Sequence, residues 1–329
     1  MQERLIPLSF AIVGLTLMAL VAPAWAAKVF VSNERGNTIT VIDSETWEVL
    51  TTFDAGNRPR GIGVSPDGKH VYVCASDDDT IRVFDADTYE ELWTLPSGPD
   101  PELFALDPTG QYLYVSNEDD NLVTVVDTIS RTITAEIPVG VEPEGMAISP
   151  DRRFVISTSE TTNMAHFIST EDYTIKHNVL VDQRPRYAQY TDDGKILFVS
   201  SEIGGTVSVI DPNAAEPAVI AKIGFEVAGV QPEWLQPVGM KVTPDNKWLF
   251  VALGPANRVA VINVDTLEVE HYILVGQRVW QMAFTPDHKY LITTNGNSND
   301  VTVIDVDKQK ALKSIQVGQQ PWGVAVTPN

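Results

Sequence analysis

Cysteine, histidine and nucleophile motifs are scarce in this sequence, and each scarcity excludes a class of protein. The 329 residues include one cysteine, Cys74, which excludes an internal disulfide bond. No Cys-x-x-Cys-His segment is present, so covalent attachment of a c-type haem is excluded. The five histidines do not converge in the repeat described below, so we expect no zinc or copper centre built from them. The sequence also lacks the Gly-x-Ser-x-Gly motif of serine hydrolases.

Positive charge and long apolar runs are equally scarce. Lysine and arginine total 23 against 44 aspartates and glutamates, and a net charge of −21 repels phosphate backbones, which excludes general nucleic-acid binding. The one long apolar stretch, residues 8–21, is too short to span a bilayer and precedes Ala24-Trp25-Ala26, a small-x-small cleavage site. We therefore predict a signal peptide over residues 1–26 and an exported mature chain, residues 27–329, without a membrane span.

A proline that returns at intervals of 42 residues organises the rest of the chain. The interval is interrupted once, where the turn Thr191-Asp192-Asp193-Gly194 lacks its proline and a short insertion precedes Pro237. A repeat of this length with four strands per unit is typical of a β-propeller. The prolines lie in Ser/Thr/Asp-Pro turns at Pro66, Pro108, Pro150, Pro244, Pro286 and Pro328.

Four short runs of apolar and β-branched residues in each period predict four antiparallel strands. In one period they cover residues 145–149, 154–159, 165–169 and 175–181. The mature chain begins on a second-type strand, residues 29–33, and ends on a first-type strand, residues 323–327, so one blade needs both termini. The pattern predicts an all-β fold: one seven-bladed β-propeller domain of four antiparallel strands per blade, closed by pairing the N- and C-terminal strands.

Departures from the repeat mark a candidate site at the mouth of the central channel, where the loops before the first strand and after the second strand open on one face. Arginines and carboxylates occupy one half of this mouth and tryptophans the other half. Arginine forks bind carboxylates and tryptophan faces accept planar rings, so a planar anionic or zwitterionic ligand suits the mouth. The predicted ligand- or partner-binding residues are Arg58, Arg60, Glu102, Glu144, Glu160, Arg184, Arg186, Trp234, Arg278, Trp280 and Trp322.

A structural interpretation of the same residues is open. Arg60 with Glu102, and Glu144 with Arg186, are neighbours that can pair with each other and stiffen the rim, and the tryptophans can plug the channel. No metal ligands are predicted, because the acidic loops at residues 77–79 and 118–120 lack the spacing of a calcium loop.

The segments Tyr114-Val115-Ser116-Asn117 and Phe198-Val199-Ser200-Ser201 are degenerate copies of a Tyr-Val-Thr-Asn motif, through which the chain resembles the YVTN-repeat family of extracytoplasmic propellers. Loops such as Arg58-Pro59-Arg60-Gly61-Ile62 and Glu142-Pro143-Glu144-Gly145-Met146 resemble the subgroup associated with pyrroloquinoline-quinone (PQQ)-dependent catabolism. The resemblance implies a periplasmic protein that accompanies quinoprotein alcohol or aldehyde oxidation. It implies PQQ as a candidate ligand, and a quinoprotein dehydrogenase or its cytochrome as a candidate partner.

Two functional hypotheses result. We expect a monomeric, non-catalytic binding or docking propeller, accessory to PQQ-dependent oxidation, with its ligand or partner held at the channel mouth. The alternative is an enzyme, either a lactonase-like hydrolase or a subunit of a periplasmic dehydrogenase, with Glu102, Glu144 and Glu160 as acid–base candidates. The missing nucleophile and metal cluster favour the first hypothesis over the second. A surface adhesion module needs no converging charged mouth and ranks below both.

Overall fold

Strands make up almost all of the regular structure. The computed structural model describes residues 26–328, so the predicted signal peptide lies outside the described residues except for Ala26. Within this range the only helical segments are three short 3-10 helices, at Ser76–Asp78, Pro232–Trp234 and Gly254–Ala256. None of the described helices is long and apolar enough to cross a membrane.

The strands form seven four-stranded sheets, the blades, and each strand type keeps one place in its blade. The innermost strands are β4 (Pro59–Val64), β8 (Pro101–Leu106), β12 (Pro143–Ile148), β16 (Pro185–Tyr190), β20 (Pro237–Val242), β24 (Val279–Phe284) and β28 (Pro321–Val326). The second strands are β1 (Lys28–Asn33), β5 (His70–Ala75), β9 (Tyr112–Asn117), β13 (Phe154–Ser159), β17 (Leu197–Ser201), β21 (Trp248–Leu253) and β25 (Tyr290–Asn295). The third strands are β2 (Thr38–Asp43), β6 (Thr80–Asp85), β10 (Leu122–Asp127), β14 (Met164–Ser169), β18 (Thr206–Asp211), β22 (Arg258–Asn263) and β26 (Asp300–Asp305). The outer strands are β3 (Val49–Asp54), β7 (Glu91–Pro96), β11 (Thr132–Pro138), β15 (Ile175–Leu180), β19 (Ala218–Gly224), β23 (Val269–Leu274) and β27 (Lys310–Gln316).

Both ends of the chain share one blade, whose strand order is β28-β1-β2-β3. Phe30 of β1 pairs with Ala325 of β28, and every strand pair is antiparallel. Neighbouring innermost strands contact each other around the whole ring. The predicted all-β, seven-bladed propeller and its closure are therefore confirmed.

The hydrophobic core lies between the blades. Phe30, Phe198 and Phe250 on second strands are fully buried, because both faces of these strands pack against neighbouring sheets. Burying each such side chain stabilises the fold by about 1.5–3 kcal/mol. Cys74 is also fully buried, and burial raises the pKa of its thiol well above the ordinary value, which makes it a poor nucleophile.

The lower turns, which follow the innermost strands at residues 65–68, 107–110, 149–152, 191–194, 243–246 and 285–288, are held by short polar bonds. Thr285 Oγ1 donates to Asp287 Oδ1 at 2.7 Å, and the same bond joins Thr191 to Asp193 at 2.8 Å in the turn without proline. There the Asp192 N–H donates to Asn246 Oδ1 of the next blade at 2.7 Å. Proline has no N–H, so this contact between blades requires another residue at position 192.

Candidate functional site

In six of the seven loops that lead into the innermost strands, one residue has a left-handed backbone conformation. These residues are not glycines, although side chains other than Asn and Asp rarely adopt this region. Their backbone N–H groups donate to an Asn or Asp side chain of the preceding blade, as Arg184 does to Asn163 Oδ1 at 3.1 Å. That bond places each side chain over the channel. The residues, with φ of 49–59°, are Arg58, Asp100, Glu142, Arg184, Arg278 and Gln320.

The seventh of these loops departs from the pattern. Gly205 stands where the other blades carry the accepting Asn or Asp, so no side chain can hold the loop that ends at Gln236. Gln236 does not have a positive φ, and the insertion between β19 and β20 lies in the same loop. The acceptor and the left-handed residue are thus absent together, and the mouth has one irregular side.

A first ion-pair cluster joins three neighbouring blades. Arg58 Nη2 lies 3.1 Å from Glu102 Oε1, and Arg60 Nη1 contacts Glu102 Oε2 directly. Arg60 Nε lies 3.1 Å from Glu34 Oε1, and Arg58 also pairs with Asp100. The Glu102 side chain is fully buried, so two guanidinium groups compensate its charge. The predicted pairing of Arg60 with Glu102 is therefore observed.

A second cluster surrounds Arg186, whose side chain is also buried. Its Nη1 lies 2.5 Å from Glu144 Oε2 and contacts Glu160 directly. Arg184 Nε lies 2.6 Å from Glu160 Oε2 and 3.4 Å from Glu202 Oε2. The predicted pairing of Glu144 with Arg186 is present, and Glu160 and Glu202 extend it into a network.

Glu144 and Glu160 have pKa values shifted in opposite directions within this network. Burial raises the pKa of Glu144 well above its ordinary value, although Arg186 opposes the rise. Burial alone would raise the pKa of Glu160 too, but hydrogen bonding to Glu144 and the charges of Arg186 and Arg184 lower it. Within this pair, Glu144 therefore has the higher affinity for a proton.

The carboxyl group of Glu118 faces the mouth beside the first ion-pair cluster. Burial, with a contribution from Glu102, raises the pKa of Glu118 to about 8 and that of Asp100 to about 6. Oxygens of Asp100, Glu102 and Glu118 lie within 4.8 Å of one another, close enough to hold a metal ion such as Ca²⁺. Arg58 and Arg60 pair with Asp100 and Glu102 of this group, whereas no arginine or lysine among the described residues pairs with Glu118.

The tryptophans of the other half pack on the arginines. The Trp280 and Trp322 ring centroids lie 6.4 Å apart, and the guanidinium of Arg278 lies 4.1 Å from the Trp280 centroid. Arg60 lies 5.0 Å from the Trp322 ring, which is fully buried. Arg278 Nη2 also lies 2.8 Å from Glu202 Oε1. Cation–π contacts thus join the aromatic half of the mouth to the charged half.

Ten of the eleven predicted residues are therefore brought together, and Trp234 is not among them. Its side chain is 57% exposed, and within residues 26–328 no hydrogen bond, ion pair or ring contact joins it to the others. Phe225 of the same insertion packs against the core of the blade and not over the mouth. Whether the ten residues bind a ligand stays a prediction.

Four carboxylates of the mouth were not selected from the sequence. Glu34, Glu118 and Glu202 occupy the same position after the second strand as Glu160, and Asp100 occupies the position of Arg58. The repeat register was the signal that identified their place. The repeat register does not reveal which of these carboxylates are buried or paired with an arginine, and those two properties distinguish them as part of the site.

A serine–histidine–asparagine chain crosses one blade below the mouth, and it is structural. His166 Nε2 lies 3.0 Å from Ser159 Oγ, and Nδ1 lies 2.5 Å from Asn178 Oδ1. The Gly140 N–H already donates to His166 Nε2 at 3.0 Å, so that nitrogen has no lone pair left for the serine proton. Ser159 is also fully buried. The chain cannot work as a nucleophilic triad.

The fold is shared with solved structures at low sequence identity. A hydrazine synthase structure from Kuenenia stuttgartiensis is 22% identical, with a TM-score of 0.78 over 90% of this chain and 99% of that one. Two 6-phosphogluconolactonase-like proteins are also similar. The one from Bacteroides fragilis is 18% identical, with a TM-score of 0.80 over 94% of this chain and 100% of that one. The one from Bacteroides uniformis is 17% identical, with a TM-score of 0.78 over 92% and 100%. No curated protein matches the chain.

The family comparison corrects the expected function. The family model described as "Lactonase, 7-bladed beta-propeller" matches residues 26–134 and 174–324, more than half of the chain. The expectation of a non-catalytic accessory of PQQ-dependent oxidation is therefore wrong, and the alternative of a lactonase-like hydrolase is favoured. The comparisons support a resemblance to the lactonase family of propellers, and they do not support the narrower resemblance to the PQQ-associated subgroup. The chain belongs to the lactonase family of seven-bladed β-propellers.

Proposed function

We propose that the protein hydrolyses a lactone at the channel mouth. The observation that carries this proposal is a carboxyl group, Glu118, that no arginine or lysine side chain pairs with among residues 26–328. Burial raises its pKa to about 8, yet its side chain is not fully buried. The match to the lactonase family supports the same reaction.

Glu118 is suited to act as the general base. Hydrolysis of a lactone requires a water oxygen to bond to the carbonyl carbon while the water loses a proton. Proton transfer is most effective when the base has a pKa near the working pH, and about 8 meets this condition for Glu118. The ring C–O bond then breaks, and protonated Glu118 returns the proton to the ring oxygen. The product is a hydroxy acid.

Arg184 is suited to stabilise the oxyanion that forms during this addition. Its Nε is held by Glu160 at 2.6 Å, while its terminal nitrogens make no ion pair or hydrogen bond within the described residues. Its side chain is 43% exposed, so these nitrogens face the solvent side of the mouth. Donors that are already oriented toward developing negative charge stabilise it without further reorganisation.

The charge of the mouth favours an uncharged substrate. The other mouth arginines are already paired with carboxylates, which leaves Arg184 alone to meet an anion. A phosphate dianion needs more than one such cation, and the carboxylates would repel it. We therefore propose an unphosphorylated lactone as substrate, although two of the similar structures are 6-phosphogluconolactonase-like. The paired arginines are Arg58, Arg60, Arg186 and Arg278.

The test is a pH-stat assay of lactone opening on glucono-δ-lactone, δ-valerolactone and 6-phosphoglucono-δ-lactone, with and without a chelator. We expect turnover of an unphosphorylated lactone, unaffected by the chelator. Because an amide cannot accept the proton, Glu118→Gln should lower kcat/KM about 10²–10⁴-fold. Glu171→Gln, at an exposed turn far from the mouth, is the matched control and should retain activity.

Three results would overturn the proposal. They are no hydrolysis of any lactone above the uncatalysed rate, full activity of Glu118→Gln, or equal losses in both variants. Preference for the phosphorylated lactone would leave the reaction in place and contradict the substrate class. Activity that disappears with the chelator would contradict a mechanism based on side chains alone.

We also infer that the chain is exported to the periplasm as a monomer, and that its strands are of the YVTN-repeat type. The support is the apolar stretch at residues 8–21 with its cleavage site, together with the repeat motifs. The mass of the protein recovered from the periplasm tests export, because cleavage after Ala26 predicts an N-terminus at Ala27. An unprocessed cytoplasmic protein would contradict this inference.

A further inference from the structure

A cavity of about 290 Å³ lies inside the channel, directly below the mouth. Its walls come from the innermost strands and are mostly apolar, with Leu103, Phe104 and Met146 among them. Leu103 directly follows Glu102, so the buried charges of the mouth form the ceiling of this chamber. The volume is at the lower end of the range for small-molecule sites.

One cation enters the chamber. Lys241 Nζ donates to the Tyr187 hydroxyl at 3.0 Å and lies 5.5 Å from the ring centroid of that tyrosine. Within residues 26–328 no carboxylate forms an ion pair with Lys241. The other blades place uncharged residues at its position, so this column of the repeat brings no compensating charge. Those residues are Gly63, Ala105, Ala147, Gln189, Ala283 and Ala325.

Two further polar groups face or border the same space. The Gln281 side chain lines the chamber, and its side-chain amide group makes no hydrogen bond within the described part of the chain. Trp322 also lines it, is fully buried, and has an indole N–H without a hydrogen-bond partner. A buried donor without an acceptor is unfavourable, and a ligand oxygen can satisfy it. The donors outnumber the acceptors here, which favours an anion.

We propose that the chamber is a second binding site, below the mouth and sharing Trp322 with it, for a monocarboxylate with an apolar body. Lys241 would hold the carboxylate, with the Tyr187 hydroxyl beside it, while the apolar walls would cover the rest of the molecule. A single unpaired cation suits a single negative charge. The apolar lining opposes sugars and polyanions, whose polar groups would lose their water without replacement. This site does not depend on lactone hydrolysis.

Isothermal titration calorimetry with phenylacetate as probe tests the site, with 2-phenylethanol and phenethylamine as comparison ligands of the same shape. We expect phenylacetate to bind more tightly than the alcohol and the amine not to bind. Lys241→Met keeps the length and apolar stem of the side chain and removes its charge. It should weaken phenylacetate binding at least about 10-fold, because one desolvated charge–carboxylate contact is lost. Lys289→Met, at an exposed lower turn, is the control and should bind as the wild type does.

Two further variants keep the result interpretable. Tyr187→Phe removes a hydroxyl without removing the ring and should weaken binding by a smaller factor, even if Lys241→Met fails to fold. Glu118→Gln, at the mouth, should leave phenylacetate binding unchanged. Absence of phenylacetate binding to the wild type at millimolar concentration would overturn the proposal. Unaltered binding to folded Lys241→Met, or loss of binding in Glu118→Gln, would also overturn it.

Discussion

Carboxyl groups at the two ends of the propeller have opposite proton affinities. At the lower turns, a hydrogen bond from Thr285 lowers the pKa of Asp287 to about 2, and a bond from Lys195 lowers that of Asp193 to about 2. At the mouth, burial raises the pKa of Asp100 to about 6 and that of Glu118 to about 8. The pKa of a carboxyl group is therefore lowered at the lower turns and raised at these two positions of the mouth.

The difference follows from what surrounds each group. A lower-turn aspartate is exposed and serves its own turn, where hydroxyl and backbone donors favour the charged form. The mouth carboxyl groups of Asp100, Glu118 and Glu144 lie among others from neighbouring blades, where desolvation and like charge favour the neutral form. Glu160 is the exception, because its hydrogen bond with Glu144 and the charges of Arg186 and Arg184 outweigh burial. Strongly raised pKa values that arise from burial and a specific charge partner are typical of functional sites. The comparison therefore supports the proposal that the mouth is the reactive end and the lower turns contribute to stability.

The largest expected effect is on catalysis. Arg184→Ala removes the unpaired donors at the mouth, and we expect kcat/KM for lactone opening to fall about 10²–10³-fold. Arg153→Ala removes an exposed arginine that pairs with Asp151 at a lower turn and should leave kcat/KM unchanged. Steady-state kinetics on both variants decides this, and similar values for the two would break the comparison.

The next effect is on stability. Arg186→Ala removes the one cation that pairs with buried Glu144 among the described residues and leaves Glu160 with Arg184 alone, and should lower the free energy of unfolding by about 3–5 kcal/mol. Arg153→Ala breaks an exposed pair and should cost about 0–1 kcal/mol. Urea unfolding followed by tryptophan fluorescence measures both. Equal costs would show that burial does not distinguish the two ends.

The pH dependence of stability should also differ between the ends. A carboxyl group with a raised pKa keeps a proton in the folded protein that the unfolded chain has released. Glu118 therefore makes the free energy of unfolding fall as pH rises from about 4.5 to about 8, by at most about 1.4 kcal/mol per pH unit. Asp287 acts in the opposite sense, since its stabilisation is present above pH 3.8 and is lost as pH falls through about 2.

Unfolding measurements at several pH values on the wild type and Glu118→Gln isolate the first of these contributions. The difference between the two proteins cancels the effects of other groups, such as His166, whose pKa is lowered by burial. We expect the variant to lose less stability than the wild type between pH 5 and pH 8. Parallel curves would contradict the raised pKa of Glu118.

The smallest effect concerns a lower turn alone. Thr285→Val removes the hydroxyl that bonds to Asp287 and to the Tyr290 N–H, and should cost about 1 kcal/mol without altering activity. Thr285→Ser keeps the hydroxyl and is the control, because Ser65 and Ser149 make the same bond in other blades. Thermal unfolding and the lactone assay measure the two properties. A loss of activity would break the separation of roles.

Local pattern was sufficient to predict the fold. The predicted strand at residues 154–159 coincides with β13, and the predicted strand at residues 145–149 lies largely within β12 (Pro143–Ile148). Strand periodicity and turn preferences depend on residues only a few positions apart, so they can be predicted from the sequence. No local pattern explains the absence of proline at position 192. The Asn246 side chain that accepts a hydrogen bond from the Asp192 N–H lies in another blade.

The candidate site was predictable only in part. The repeat register identified the neighbours Arg60 with Glu102 and Glu144 with Arg186, which pair as expected. Trp234 was expected at the mouth because its insertion precedes Pro237 on the same face, but the insertion lies outside the repeat register and the Trp234 side chain is exposed. The functional hypothesis was wrong. It rested on the missing nucleophile and metal cluster and on a resemblance in the loops, whereas the match to the lactonase family extends over most of the chain.

The sequence by itself determined the number of blades, the closure of the ring and the column in which each mouth residue stands. These properties follow from a repeat length and from short-range strand and turn preferences. Only the tertiary structure decided that burial raises the pKa of Glu144, that Glu118 has its pKa raised to about 8, and that Lys241 has no carboxylate partner in the described chain. Those properties depend on how far each group is withdrawn from water and which charges arrive from blades far away in the sequence.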